Sequence, residues 1–242
     1  MRTYSKILKV VMCFILLLGM IIFSIGFGHD KFTSSQAIIV KFMSENIYKN
    51  VSEDFFVKKS QVFFSNQDSL INDINTSLLE DLINDEKYVR KAEVYLDLEG
   101  VINVFIYFRK PFVKVLKNER LYYYDVEGVE LPASTPPKED LLVVSGDLYS
   151  EDLKRVLPLV NEIYNNSMLN QLIGGIYYTL DTGYMLSSKL CDLGIVLGKN
   201  PVLNLKKIQV LELFSIFLAE ELGCDYCTSI NLEYDNQIIC IK

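Results

Sequence analysis

Apolar residues recur along this chain in one unbroken run and then in two periods, and these divide it into three regions. The run comes first. Behind a basic head with Arg2, Lys6 and Lys9, residues 10–28 (VVMCFILLLGMIIFSIGFG) carry no charge. As a helix this run spans roughly 28 Å at about 1.5 Å per residue, close to the thickness of a bilayer's hydrocarbon core. A cleaved signal peptide has a shorter apolar stretch and small residues at its exit, whereas the exit here reads FSIGFGHDKF. The expectation is an uncleaved transmembrane helix over 10–28, with residues 1–9 cytoplasmic and the bulk of the chain outside.

The second region, residues 36–112, mixes the helical and strand periods. A β-rich run extends from Ala37 to Met43. Ser52 precedes Glu53 and Asp54, which predicts a helix start with acids in its first turn. In INTSLLEDLINDEKYV, Leu78, Leu79, Leu82 and Ile83 make an apolar stripe, with Thr76 or Ser77 as the candidate cap. Ala92, Val94, Leu96 and Leu98 then alternate with Glu93, Tyr95 and Asp97. Glu99-Gly100 supplies a turn, and Ile102, Val104, Ile106 and Phe108 form the facing row. Pro111 ends that ladder or marks its edge. The order strand, helix, helix, strand, strand predicts an α+β module with helices over one sheet face.

The third region, residues 113–242, is dominated by short strands, with turns expected near Lys117-Asn118 and at Glu127-Gly128. YSEDLKRVLPLVNEIYNNSMLNQLI reads as helix, with a kink or break expected at Pro158. NLKKIQVLELFSIFLAEELG reads as a second helix, from Asn204 to a C-terminal Gly223. The closing stretch INLEYDNQIICIK puts Ile230, Leu232 and Tyr234 on one side and Asn231, Glu233 and Asp235 on the other, the period of a half-buried strand.

Composition narrows the function classes. Half the residues are apolar and 23% are charged, enough for a packed fold. The net charge of −7 becomes −10 once the three cations of the N-terminal head are set aside. A surface that acidic excludes nucleic acid as a partner, because such binding rests on neutralising phosphates. Catalysis has little to work with. The single histidine, His29, borders the apolar run, and no glycine-rich phosphate loop is present. Asp181, Asp192 and Glu220 read as solvated carboxylates, and no catalytic, cofactor or metal residues are assigned. Cys224-Asp-Tyr-Cys227 has redox or metal spacing, but a zinc site needs about four ligands. The reading kept is packing thiols or a structural bridge. Cys191, Cys224, Cys227 and Cys240 admit three complete pairings, and sequence does not choose among them. Lys206 and Lys207 read as a solvated helix face, and the tyrosines of LYYY (121–124) as ordinary strand residues. Gly19 and Gly26 do not make a GxxxG helix-dimer motif.

Taken in order, the parts resemble a known family. YVRKAEVYLDLEGVINVFIYFRKPFVKV (88–115), LYYYDVEGVELP (121–132), DLLVVSGD (140–147) and IVLGKNPVLNLKKIQVLELF (195–214) are similar to stretches of the bacterial FtsQ/DivIB cell-division proteins, nearest to the form in Bacteroidetes. The resemblance implies a transmembrane helix, a POTRA-like domain over 36–112 and a β domain with two helices over 113–242. It implies a non-enzymatic inner-membrane scaffold at the division septum. Its partners would be FtsB/DivIC-like and FtsL-like single-pass coiled-coil proteins and, through them, the septal peptidoglycan synthase. In the family a partner strand adds to the last strands of the β domain. The matching positions here are Glu233, Tyr234, Asn236, Gln237, Ile239 and Ile241, with Glu233 where some members carry Arg. An alternative is a POTRA-type chaperone in outer-membrane protein assembly or export.

Overall fold

The computed structural model describes residues 12, 15–20, 37–65, 75–135, 140–148, 150–234 and 237–242. The expected membrane helix over 10–28 therefore falls largely outside the described residues. Among those described, residues 15–20 are helical, and no helix is long and apolar enough to cross a membrane. The rest is mixed α+β and divides into two compact units that meet at Phe108 and Arg109.

The first unit runs β1 (Ile38–Phe42), α1 (Glu53–Ser65), α2 (Thr76–Asn84), β2 (Val89–Leu96) and β3 (Ile102–Phe108). Its sheet has the order β1-β3-β2, with β1 parallel and β2 antiparallel to β3. Ser52 starts α1 as expected, its Oγ accepting from Phe55 N at 3.2 Å. The cap of α2 is Asn75, one residue ahead of the expected Thr76, and its Oδ1 accepts from Leu78 N at 3.2 Å. Leu79 and Ile83 point into the core, but Leu78 is half exposed, so the buried stripe is narrower than the apolar pattern. Phe56 is fully buried, with the Phe42 ring edge-on to it at 6.1 Å and the Phe108 ring tilted against it at 6.4 Å.

The second unit is built on one eight-stranded sheet. In chain order it holds β4 (Val113–Lys117), β5 (Arg120–Tyr124), β6 (Val143–Gly146), α3 (Ser150–Asn165), α4 (Ser167–Leu172), β7 (Ile173–Thr179), β8 (Gly183–Ser188), β9 (Gly194–Gly198), α5 (Leu205–Phe217), β10 (Ser229–Asn231) and β11 (Ile239–Ile241). The spatial order is β11-β10-β9-β8-β7-β6-β4-β5. One cross-strand row carries the core. Val115, Val144, Ile176, Leu186, Ile195 and Ile230 stand opposite one another from β4 to β10, and all are buried. Leu153, Val156, Val160 and Ile163 of α3 and Ile208 and Leu211 of α5 share this core. Burial of apolar area at roughly 25 cal/mol per Å² makes such a row stabilising.

Two expectations change here. The helix expected to break at Pro158 runs through it. Pro158 lies on the exposed face of the helix, away from the core that Val156, Leu159 and Val160 enter. The interruption falls eight residues later, where Asn166 Oδ1 accepts from Met168 N and Leu169 N, both at 3.1 Å, and starts α4. Among the described residues the unit therefore has three α-helices rather than two. The late helix keeps its expected ends. Asn204 Oδ1 accepts from Lys207 N at 2.9 Å, and a π-helical turn (Leu218–Leu222) follows α5. Gly223 N donates to Leu218 O at 2.9 Å and terminates it.

Candidate functional site

Among the described residues two sheets give four edge strands, β1, β2, β5 and β11. An edge strand holds a row of N–H and C=O groups without a strand partner, and it attracts other chains unless something covers it. The four are treated differently.

At β2 the cover comes from the neighbouring helix. Asn84 Oδ1 accepts from Ala92 N at 2.6 Å and Glu80 Oε2 accepts from Val94 N at 3.0 Å, so α2 side chains occupy the amides a visiting strand would need. At β1 no strand lies beyond the edge among the described residues, and exposed Lys41 stands within it, a charge of the kind that discourages pairing.

At β5 the chain covers itself. Asp125 is buried, and its Oδ1 accepts from Glu127 N at 3.0 Å and Val129 N at 2.8 Å, bending the chain back. Leu131 N then donates to Tyr123 O at 2.8 Å, and Tyr124 bridges to Glu130. Arg109 holds the bend by pairing with Asp125 and, at 2.9 Å, with Glu127. The Tyr124 hydroxyl donates to Glu130 Oε2 at 3.0 Å. Burial, followed by the adjacent Glu130, pushes its pKa up to about 12.

At β11 the edge is bare. The strand pairs with β10 on one side through Ser229–Ile241, Ile230–Cys240 and Asn231–Ile239, and no strand lies on its other side among the described residues. Ile239 and Ile241 are 42% and 45% exposed. The strand carries no charge, proline or bulge, so shortness is its one guard. Such an edge can add an extended segment, with main-chain hydrogen bonds for affinity and alternate side chains for specificity.

The closing stretch is not the single strand that its alternation suggests. Ile230 and Leu232 are buried as the pattern requires, and Leu232 N donates to Val196 O at 2.8 Å. Asn231 Oδ1 then accepts from Glu233 N at 2.7 Å, a side-chain-to-backbone bond that turns the chain out of the sheet. Glu233 and Tyr234 consequently sit in the turn, and Tyr234 is 53% exposed. Glu233 lies against Gly198, where an added Cβ would come within 2.8 Å of its Cδ. Gln237 precedes β11, Ile239 and Ile241 lie on it, and Asn236 is outside the described residues. Of the expected positions, the fold brings Ile239 and Ile241 together on the bare edge and sets Glu233 and Tyr234 at its approach.

Two disulfides flank this margin. Cys191 bonds Cys224, and Cys227 bonds Cys240 in the middle of β11. The CxxC cysteines are therefore bonded outward and not to each other. The remaining candidates are dispersed. Asp181 lies in the β7–β8 turn, Asp192 in the β8–β9 corner and Glu220 in the π-helical turn, all exposed. Lys206 is exposed and Lys207 half-buried in the first turn of α5. The tyrosines of residues 121–124 belong to β5. Among the described residues no three His, Cys, Asp or Glu side chains are grouped to hold a metal ion.

A family profile described as FtsQ/DivIB, C-terminal related, matches residues 110–241, more than half of the chain. The chain belongs to this FtsQ/DivIB family. No curated protein matches it. Membership links the chain to cell division and to the division site. The FtsQ/DivIB match contains β5 and β11 and excludes β1 and β2, so the bare edge lies inside the region that defines the family.

Proposed function

We propose that this protein is a non-enzymatic scaffold of the bacterial division machinery, and that β11 is its docking strand. A partner segment adds in extended form to the free side of β11, and the protein gathers small single-pass coiled-coil proteins of the FtsB/DivIC and FtsL types. Through them it supports the septal peptidoglycan synthase. The proposal includes an anchor over residues 10–28 that holds the protein in the inner membrane with its bulk outside the cytoplasm, and a POTRA-like role for the unit ahead of Arg109. The carrying observation is the bare, uncharged edge of β11 inside the family-defining region. The alternative of an outer-membrane chaperone draws no support from the family match.

The test is in-cell photo-cross-linking with the probe at position 239 or 241, and a control probe at Leu121 on β5. A small single-pass coiled-coil protein captured from β11 and not from β5 is the expected result. An intact, exported protein that yields no adduct from either β11 position would overturn the docking reading.

A further inference from the structure

The two disulfides converge on the short segment between α5 and β10. Cys224 reaches back to Cys191 in the β8–β9 corner, and Cys227 reaches forward to Cys240. Within this margin β10 is seated in the core by Ile230, while β11 is held more lightly, by its pairing with β10 and by Thr228, whose N and Oγ1 both donate to Ile241 O. β10 and β11 are three residues each, and β10 pairs with only three residues of β9. Of the three residues in β11, Ile239 and Ile241 are exposed, and Cys240 alone packs against the core. Within the strand the side chain that faces the core is thus the one that carries the covalent bond, and Ile238 packs beside it just ahead of the strand. Cys227, the other end of that bond, is buried in the core, so the bridge fixes a loose strand to a rigid point.

We propose that the docking edge is conditional on oxidation: β11 is ordered in the disulfide form and frays in the dithiol form. This deepens the docking reading above and rests on it. Reduction by a small dithiol proceeds from the accessible sulfurs. A reductant thiolate attacks Cys224, which is exposed, and displaces Cys191 as a thiolate. The reductant's second thiol then closes a cyclic disulfide and releases Cys224. The dithiol gives up two electrons and two protons, and two cysteine thiols result. The same exchange at Cys227–Cys240 enters at half-buried Cys240, because Cys227 is covered. In the forward direction, a disulfide-donating oxidant must act on this protein before a partner strand can settle on it.

The experiment compares three states of the full chain by hydrogen exchange: oxidised, treated with dithiothreitol, and carrying Cys227→Ser with Cys240→Ser. Mass shifts on alkylation count the thiols opened. Once Cys227–Cys240 is open, backbone amides of β10 and β11 are expected to exchange at least about tenfold faster while β7 and β8 keep their rates. Cross-linking from position 241 in cells is expected to lose its adduct in the double-serine variant. Unchanged exchange at β10 and β11 after complete reduction would overturn the inference, as would an undiminished adduct from the variant. If the variant fails to fold, chemical reduction of the wild-type chain decides: loosening confined to the margin supports the proposal, and loosening that spreads to β7 and β8 overturns it. A wild-type chain that gives no adduct counts against the docking reading alone, since the exchange result is independent of any partner.

Discussion

At the β5 end of the eight-stranded sheet the chain covers its own edge with hydrogen bonds and a buried ion pair. At the β11 end it fastens a three-residue strand covalently and leaves the outer side bare. Both ends face the hazard of unpaired backbone, but only one is closed against it. Covering an edge costs exposed backbone; fastening it without covering preserves that backbone for another chain. The contrast separates a covered margin from an open one within a single sheet, and the open one is where the docking proposed above would take place.

The comparison breaks most visibly at Asp125. Asp125→Ala removes Arg109's buried carboxylate partner and the acceptor for two backbone amides. It should cost about 3 kcal/mol by urea denaturation and raise exchange in β5, with β11 cross-linking retained. Loss of the β11 adduct in that variant would show that the two ends are coupled. A change at the centre should be neutral between them. Gly146 has φ +108°, and an added Cβ would lie 1.9 Å from Tyr178 O. Gly146→Ala should therefore cost about 2 kcal/mol through β6 and β7.

The alkaline limb tests the β5 cover more gently. Tyr124 and Tyr184 are both pushed up to about 12 from the ordinary 10.0, Tyr124 by burial and then Glu130, Tyr184 by burial and then the charge of Asp152. The folded state holds these protons more tightly than the unfolded state. Their contribution is therefore full below pH 10 and is lost as pH rises to about 12. Tyr124→Phe should cost about 1 kcal/mol at neutral pH and flatten the loss of stability between these limits, read by denaturation at stepped pH. The smallest stability effect belongs to the bare edge. Ile239→Asp should change stability by no more than about 0.5 kcal/mol, because the side chain is exposed, yet abolish cross-linking from position 241.

Much of the fold is legible in the pattern of the chain. The alternation from Ala92 to Phe108 gives β2 and β3, and Asn204 and Gly223 bracket the late helix with its π-helical turn. The misses have local causes. Pro158 reads as a breaker because the pattern does not show that its turn faces water, while Asn166 ends α3 with a cap visible only as one polar residue among several. The closing stretch misleads more. Its period of two continues past Leu232, but Asn231 can hydrogen-bond to the backbone two residues on, and that bond ends β10. An asparagine within an alternating run, with Asp235-Asn236 just ahead, is the signal that was there to be weighed. The disulfide pairing was not legible at all, since it depends on which corners the fold brings together.

The parallel pairing of β10 with β9 has a consequence in time. The chain must cross the sheet through α5 before β10 can be laid beside β9, and only then does β11 have an edge to join. Pairings between distant segments form slowly and late. β11, which pairs with β10 alone among the described residues, is accordingly the last course of the wall. On the docking proposed above, a partner that reads β11 would read a finished domain, and an incomplete one would offer it nothing to hold.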